Sequence, residues 1–256
     1  MADVPADRVA RMCTALLEAY RSGIPVVATP DDGPRDDEEA YAVQRAVWQS
    51  MVRAPRPTAW KVGAASREAC PVAGPVFPHT LGTSPASFPA AGFLHFGVEA
   101  EIALRFAKNL PPRKSDEADY GRDEILDAVE VAYVAMEIVG TRLADRQAAG
   151  PRWRLADNLV NGALVLGDPI ADLRQIDAAR VTARSFVDER LVAESTGSVP
   201  LGDIFHCLPW WIRHIGGVRA GDIVTTGTWN GAYWLTGSAE LRIELADLGQ
   251  ASATIR

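Results

Sequence analysis

Three carboxylates and one lysine stand where a folding chain seldom leaves charge alone. In VEAEIALRF, residues 98–106, Val98, Ala100, Ile102, Leu104 and Phe106 alternate with Glu99, Glu101, Ala103 and Arg105. That is the period of a strand with one buried face. Same-side neighbours on a strand lie roughly 6–7 Å apart at Cα, so the Glu99 and Glu101 carboxylates can converge on one point, and small Ala103 leaves space beside them. A third acid, Glu137 in VAYVAMEIVG, is the only charge between Val131 and Arg142. A bare buried carboxylate is costly, so Glu137 needs either a basic partner, for instance Arg142, or a cation. Three carboxylates with no cysteine and no histidine partner suit a hard, oxygen-loving ion, Mg²⁺ or Mn²⁺ rather than zinc. A solvated edge strand would also explain Glu99 and Glu101, and both explanations stay open at this point.

Lys61 in WKVGAAS lies between Trp60 and Val62 at the start of a Gly-bounded strand. Partly desolvated beside carboxylates, it could act as an acid–base group or bind an anion; a lysine snorkelling to the surface is the plainer alternative. LADNLVNGALVLG places Asp157, Asn158 and Asn161 just before a strand, where such residues either make turns or line a pocket. GDIVTTGTWNG ends a strand in Thr226 and Gly227, whose backbone could approach a ligand. His79, His95, His206 and His214 show no metal spacing, and His206 and His214 are expected two turns apart on one amphipathic helix. No GxGxxG, P-loop or GxSxG elbow occurs.

The elements that must position these residues follow two patterns. DRVARMCTALLEAYRSG puts Val9, Met12, Leu16, Leu17 and Tyr20 on one helical stripe that Gly23 can end. TPDDGPRDDEEAYAVQRAVWQSMV opens with turn residues, then sets acids in the first turn of a second helix, with Tyr41, Gln44, Val47, Trp48 and Met51 on one face. After the Pro-rich RAPRPTA, residues 53–59, the pattern changes to short apolar strands separated by Gly and Pro. AWKVGAA, VEAEIALRFA, VAYVAMEIVG, GALVLGD, ARSFVDERLVAES, GDIVTTGTW, AELRIELADLG and ASATIR read as strands, and PLGDIFHCLPWWIRHIGG as a helix between them. The expected organisation is a helical N-terminal region, residues 1–53, followed by a β-rich domain, residues 54–256.

Composition narrows the function. The 256 residues carry a net charge of −7, which lacks the footprint of a nucleic-acid binder. No apolar run approaches the roughly 20 residues that span a bilayer, and the charged start MADVPADRVARM does not read as a signal peptide. Cys13, Cys70 and Cys207 are far apart and odd in number, which suits a reducing compartment. A cytoplasmic protein with no membrane partner is expected. Seven tryptophans, two of them adjacent at Trp210 and Trp211, suggest apolar surface for a second copy, hence a homo-oligomer.

Taken in order, AYAVQ, WKVGAAS, VEAEIAL, AMEIVGTRL, ADNLVNGALVLG, AGDIVTTGTW and LGQASATI resemble the 2-keto-4-pentenoate hydratase branch of the fumarylacetoacetate hydrolase superfamily, over nearly the whole chain. The resemblance implies an α+β fold, the superfamily's mixed β-roll with a short helical N-terminal region. It implies Mg²⁺ or Mn²⁺ held by Glu99, Glu101 and Glu137, with Lys61 as the family lysine. It also implies a small-molecule substrate, a 2-hydroxy-2,4-dienoate hydrated to a 4-hydroxy-2-oxo acid, near Asp157, Asn158, Asn161, Thr226 and Gly227. Three departures stand out. CPVAGPVFPHTL, after the lysine strand, has none of the acid that hydratases often carry there. Leu159, Val160 and Asn161 follow ADN where hydratases often carry serines, and Val139, Gly140 and Thr141 stand where VDS is common. 4-Oxalocrotonate-type decarboxylases share the scaffold and metal site, and acylpyruvate-type C–C hydrolases share the metal acids. A non-catalytic relative that binds 2-oxo acids is a further alternative.

Overall fold

The computed structural model describes residues 6–93, 95–114 and 116–256. The charged start weighed above as a leader falls partly on residues 1–5, outside them. Helix α1 (Ala6–Ser22) and helix α2 (Asp37–Met51) come first. Met12 and Leu16 of the α1 stripe are buried, and Gly23 ends that helix with φ 71°. The Asp36 side chain caps α2 by accepting from the Glu39 N–H at 2.8 Å, and Asp37, Glu38 and Glu39 fill the first turn as expected.

Strands β1 (Ala59–Gly63), β2 (Val72–Pro75), β3 (Leu81–Thr83), β4 (Ala86–Phe88) and β5 (Phe96–Phe106) follow. Then come α3 (Arg122–Ala128), β6 (Val129–Gly140), α4 (Gly150–Ala156), β7 (Asn161–Ile170), β8 (Thr182–Val187) and β9 (Arg190–Thr196). The chain continues through α5 (Leu208–His214), β10 (Ile223–Thr225), β11 (Tyr233–Leu235), β12 (Ala239–Leu245) and β13 (Gly249–Ile255). One sheet runs β2-β1-β10-β5-β6-β7-β3, with β11 also on β5; the other runs β4-β13-β12-β8-β9. Pairing is mostly antiparallel, with β1–β10, β3–β7 and β4–β13 parallel. The architecture is α+β.

The main core lies between the sheets. Val98, Ile102, Met136 and Ile138 come from the first, and Leu241, Ile243, Ala251 and Ala253 from the second. That face takes the even-numbered residues of β5, so Glu99 and Glu101 point the other way. There a small cluster of Ala59, Ala103, Ala135, Leu164 and Ile223 underlies them. A third cluster packs α1 and α2 on Phe77, Leu143, Trp153 and Leu155. Through it α2 reaches the first sheet: Gln44 Nε2 donates to the Ala73 and Leu155 carbonyls, and Tyr41 Oη accepts from the Ala73 N–H.

Three local expectations are corrected. ARSFVDERLVAES is a hairpin, β8 and β9, turned by Asp188 and Glu189 with φ 47° and 60°; acidic residues tolerate that turn. PLGDIFHCLPWWIRHIGG is α-helical only over Leu208–His214, after a single 3-10 turn at Pro200–Gly202, because Gly202 adopts φ 72° and Pro209 starts a helix rather than continuing one. His206 therefore lies outside the helix, 3.1 Å from the Arg67 carbonyl. The tryptophan pair offers a partner less surface than expected. Trp211 is fully buried beside Phe106, and Trp210 stacks on His214 at 4.6 Å.

Candidate active site

The register of two long central strands builds the site. On β5 and β6, Glu99 lies directly opposite Glu137, and Glu101 opposite Ala135. The three acids therefore share one face, and one carboxylate oxygen from each lies within 4.8 Å of the others. β5 is flanked by β10 and β6, so the solvated-edge explanation falls. Glu101 is 2 % exposed and Glu137 0 %. Lys61 enters from β1, in register with Thr225 of β10, which is in register with Ala103 of β5. Its Nζ donates to Glu137 Oε1 at 2.5 Å.

Electrostatics make this a strained collection of charge. Burial, then the charge of Glu137, pushes the Glu99 carboxyl up to about 7, against the pull of Lys61. Burial, Glu137 and Glu99 likewise hold Glu101 well above the usual carboxylate range. For Lys61, burial opposes the ammonium, but the charges of Glu137, Glu99 and Glu101 outweigh it and hold the group above its ordinary value. One lysine thus faces three acids. The donor set fits a hard dication. Within that donor set Glu137 Oε2 is buried and left unpaired, while Oε1 accepts from Lys61 and from Asn161 Nδ2 at 3.0 Å.

The neighbouring residues orient the acids. Glu101 Oε2 accepts from the Thr225 hydroxyl and, at 2.9 Å, from the Gly227 N–H. Gly227 holds φ 105°, a conformation that glycine adopts at no steric cost. Asn161, expected to face substrate, instead bonds Glu137. Asp157, expected likewise, is turned away: it pairs with Arg142 Nε at 2.5 Å and accepts from the Thr141 hydroxyl and the Arg142 N–H. Arg142, considered as a partner for Glu137, thus serves Asp157, and it also donates to the Asn161 carbonyl and lies over the Tyr20 ring. Asn158 Nδ2 donates to the Pro75 carbonyl at 2.7 Å. Asp157 and Asn158 therefore shape the turn before β7 and do not line the cavity.

The cavity over the acids has a volume of ≈ 470 Å³, and Lys61, the three glutamates, Thr226 and Gly227 are in its wall. Thr228, Leu159, Val160, Leu201 and Trp234 also line it and were not expected there. Thr228 Oγ1 is buried without a partner; its place in TTGTW was a signal within reach. Leu201 and Trp234 lie on segments remote in sequence and gave none.

A family model described as fumarylacetoacetate (FAA) hydrolase C-terminal matches residues 61–256. The chain is 26 % identical to a 2-keto-4-pentenoate hydratase of Burkholderia vietnamiensis, over 97 % of each chain. It is 28 % identical to a TodF product hydratase of Pseudomonas putida, over 96 % of this chain and 94 % of that one. Its fold matches the 4-oxalocrotonate decarboxylase from Pseudomonas putida G7, solved with magnesium and adipate, at TM-score 0.84, 18 % identity and 99 % coverage of both chains.

Proposed function

The chain belongs to the fumarylacetoacetate hydrolase family, and from that premise we propose that it is a divalent-metal-dependent hydratase of a 2-hydroxy-2,4-dienoate. The observation that carries this is the set of three buried or half-buried carboxylates within 4.8 Å of one another, with Glu137 Oε2 unpaired and Lys61 2.5 Å from the same residue. The full-length likeness to proteins named as hydratases supports the reaction class. Mg²⁺ or Mn²⁺ held by Glu99, Glu101 and Glu137 would supply a Lewis acid toward the substrate carboxylate and 2-oxygen.

The chain's own residues do the rest. Ketonisation moves a proton from the 2-hydroxyl to C5 and leaves a 2-oxo-3-enoate with an electrophilic C4. Water then adds, its oxygen at C4 and a proton at C3, giving the 4-hydroxy-2-oxo acid. Lys61 Nζ holds or moves the proton in these steps and stabilises the enolate charge. Thr225, Gly227 and Asn161 fix the carboxylates and act through them, while Thr226 presents its side of the wall to the substrate.

The test is the purified Mg²⁺ protein against 2-hydroxypenta-2,4-dienoate, 4-oxalocrotonate and an acylpyruvate, following dienol absorbance and product mass. Dienol loss with a gain of one water is expected. CO₂ release from oxalocrotonate without hydration would make the protein a decarboxylase instead. Cleavage of the acylpyruvate would make it a C–C hydrolase, and binding without turnover a non-catalytic relative.

A further inference from the structure

The ≈ 470 Å³ cavity falls in the range that takes drug-sized ligands, far beyond what a five-carbon dienoate fills. Its charged residues, Lys61, Glu99, Glu101 and Glu137, form one cluster. The rest of the wall is largely apolar, with Leu159, Val160, Leu201 and Trp234 prominent. Among the described residues Lys61 is the one cation in that lining, and Glu137 already engages it. Arg146 lies over the Trp234 ring, 3.6 Å from its centroid, and is not part of the wall.

The backbone indicates that the apolar wall is built rather than incidental. Leu159, Val160 and Leu201 have φ of 53°, 52° and 52°, a left-handed conformation that bulky and β-branched residues rarely adopt. Among the described residues, the other non-glycine residues with positive φ are Asn158, Asp188, Glu189 and Asp247, all of types that tolerate it better or sit in hairpin turns. Surrounding contacts enforce the turn. Arg142 grips Asp157, Asn158 bonds the Pro75 carbonyl, and Gly74 has no Cβ where one would lie 2.8 Å from the Asn158 carbonyl oxygen. Such strain persists only where the surroundings over-determine it, and it clusters at ligand-binding sites.

Resting on the hydratase reading above, we propose that this wall selects the substrate: a 2-hydroxy-2,4-dienoate, or its 2-oxo form, bearing an uncharged alkyl or aryl substituent at the end remote from the carboxylate. Among the described residues that line the wall, no second cation would meet a carboxylate there: Arg67 donates to the Leu201 carbonyl and Arg146 stacks on Trp234, and neither is part of the lining.

The test is calorimetric binding of pyruvate, 2-oxoheptanoate and 2-oxoadipate to the Mg²⁺-loaded protein, which needs no turnover. Each buried methylene is worth about fourfold in affinity, so 2-oxoheptanoate should bind more than about tenfold tighter than pyruvate after ordering costs. 2-Oxoadipate should bind no tighter than pyruvate. Leu159→Asn and Leu201→Asn keep a residue tolerant of the left-handed backbone, and each should shrink the heptanoate-to-pyruvate ratio. Equal affinity for pyruvate and 2-oxoheptanoate, or a preference for 2-oxoadipate, overturns this proposal and leaves the hydratase reading standing. Chain-dependent binding with no hydration of any dienoate overturns the hydratase reading and leaves the wall's selectivity standing. Absence of binding by all three acids overturns both.

Discussion

Lys61 is the residue on which the chemistry turns. If its charge stabilises what develops only in the transition state, Lys61→Met should lower kcat by roughly 10²–10³ with little change in KM. Steady-state kinetics decide this, and a raised KM with kcat intact would make it a binding residue. The acids yield a second expectation, on stability. The Glu99 carboxyl rises from 4.5 to about 7 in the folded protein, and Glu101 rises as well. Between those values the native state holds more protons than the unfolded one, so stability falls as pH rises. In EDTA, the urea midpoint should drop from pH 5 to pH 7.5, and saturating Mg²⁺ should offset the drop by binding the native state. His79 and His214, which burial lowers, act in the opposite direction over the same range, so the profile is compared with that of Glu99→Gln; the same pH slope in both proteins would show that the Glu99 carboxyl is not raised. Lys61, Glu99, Glu101 and Glu137 were legible in the sequence because a lone charge in an apolar strand must find a partner. Asp157 was not read correctly, because nothing in the sequence tells which of two buried acids Arg142 serves.

At the scale of elements, the β5–β6 register aligns the acids, and the turn from Asp157 to Val160 closes the cavity wall. That turn depends on Gly74 of β2, where an added Cβ would lie 2.8 Å from the Asn158 carbonyl oxygen. Gly74→Ala should therefore cost about 1–3 kcal/mol, read as a melting temperature lowered by several degrees in a chain of this size. An unchanged melting temperature would mean that the turn moves at no cost. The longer strands and both N-terminal helices were legible from periods of 2 and 3.6, whereas the short β2, β3, β4 and β11 and the helices α3 and α4 were not read, because elements of three to seven residues are too short to show a period. The hairpin at Asp188–Glu189 and the short α5 were not, because a local turn and a proline decided them against the hydrophobic pattern. The left-handed Leu159, Val160 and Leu201 had no signature at all, since tertiary contacts hold them there.

For the whole molecule, no helix among the described residues is long and apolar enough to cross a membrane. Trp211 is buried and Trp210 half-buried against the core, but Ile24 and Val27 stand 72 % and 85 % exposed, and a homo-oligomer that covers them is the expectation. Light scattering should give a multiple of 27.6 kDa; a particle of that mass alone would contradict a homo-oligomer. Everything proposed for the cavity rests on one dication held by Glu99, Glu101 and Glu137. The direct measurement is calorimetric titration of Mn²⁺ into metal-free wild type and Glu101→Gln, with circular dichroism to confirm that the variant is folded. One Mn²⁺ per chain, weakened more than about 100-fold in the variant and so beyond the loss of an outer partner, is the predicted result. Equal affinity in the two proteins would contradict it.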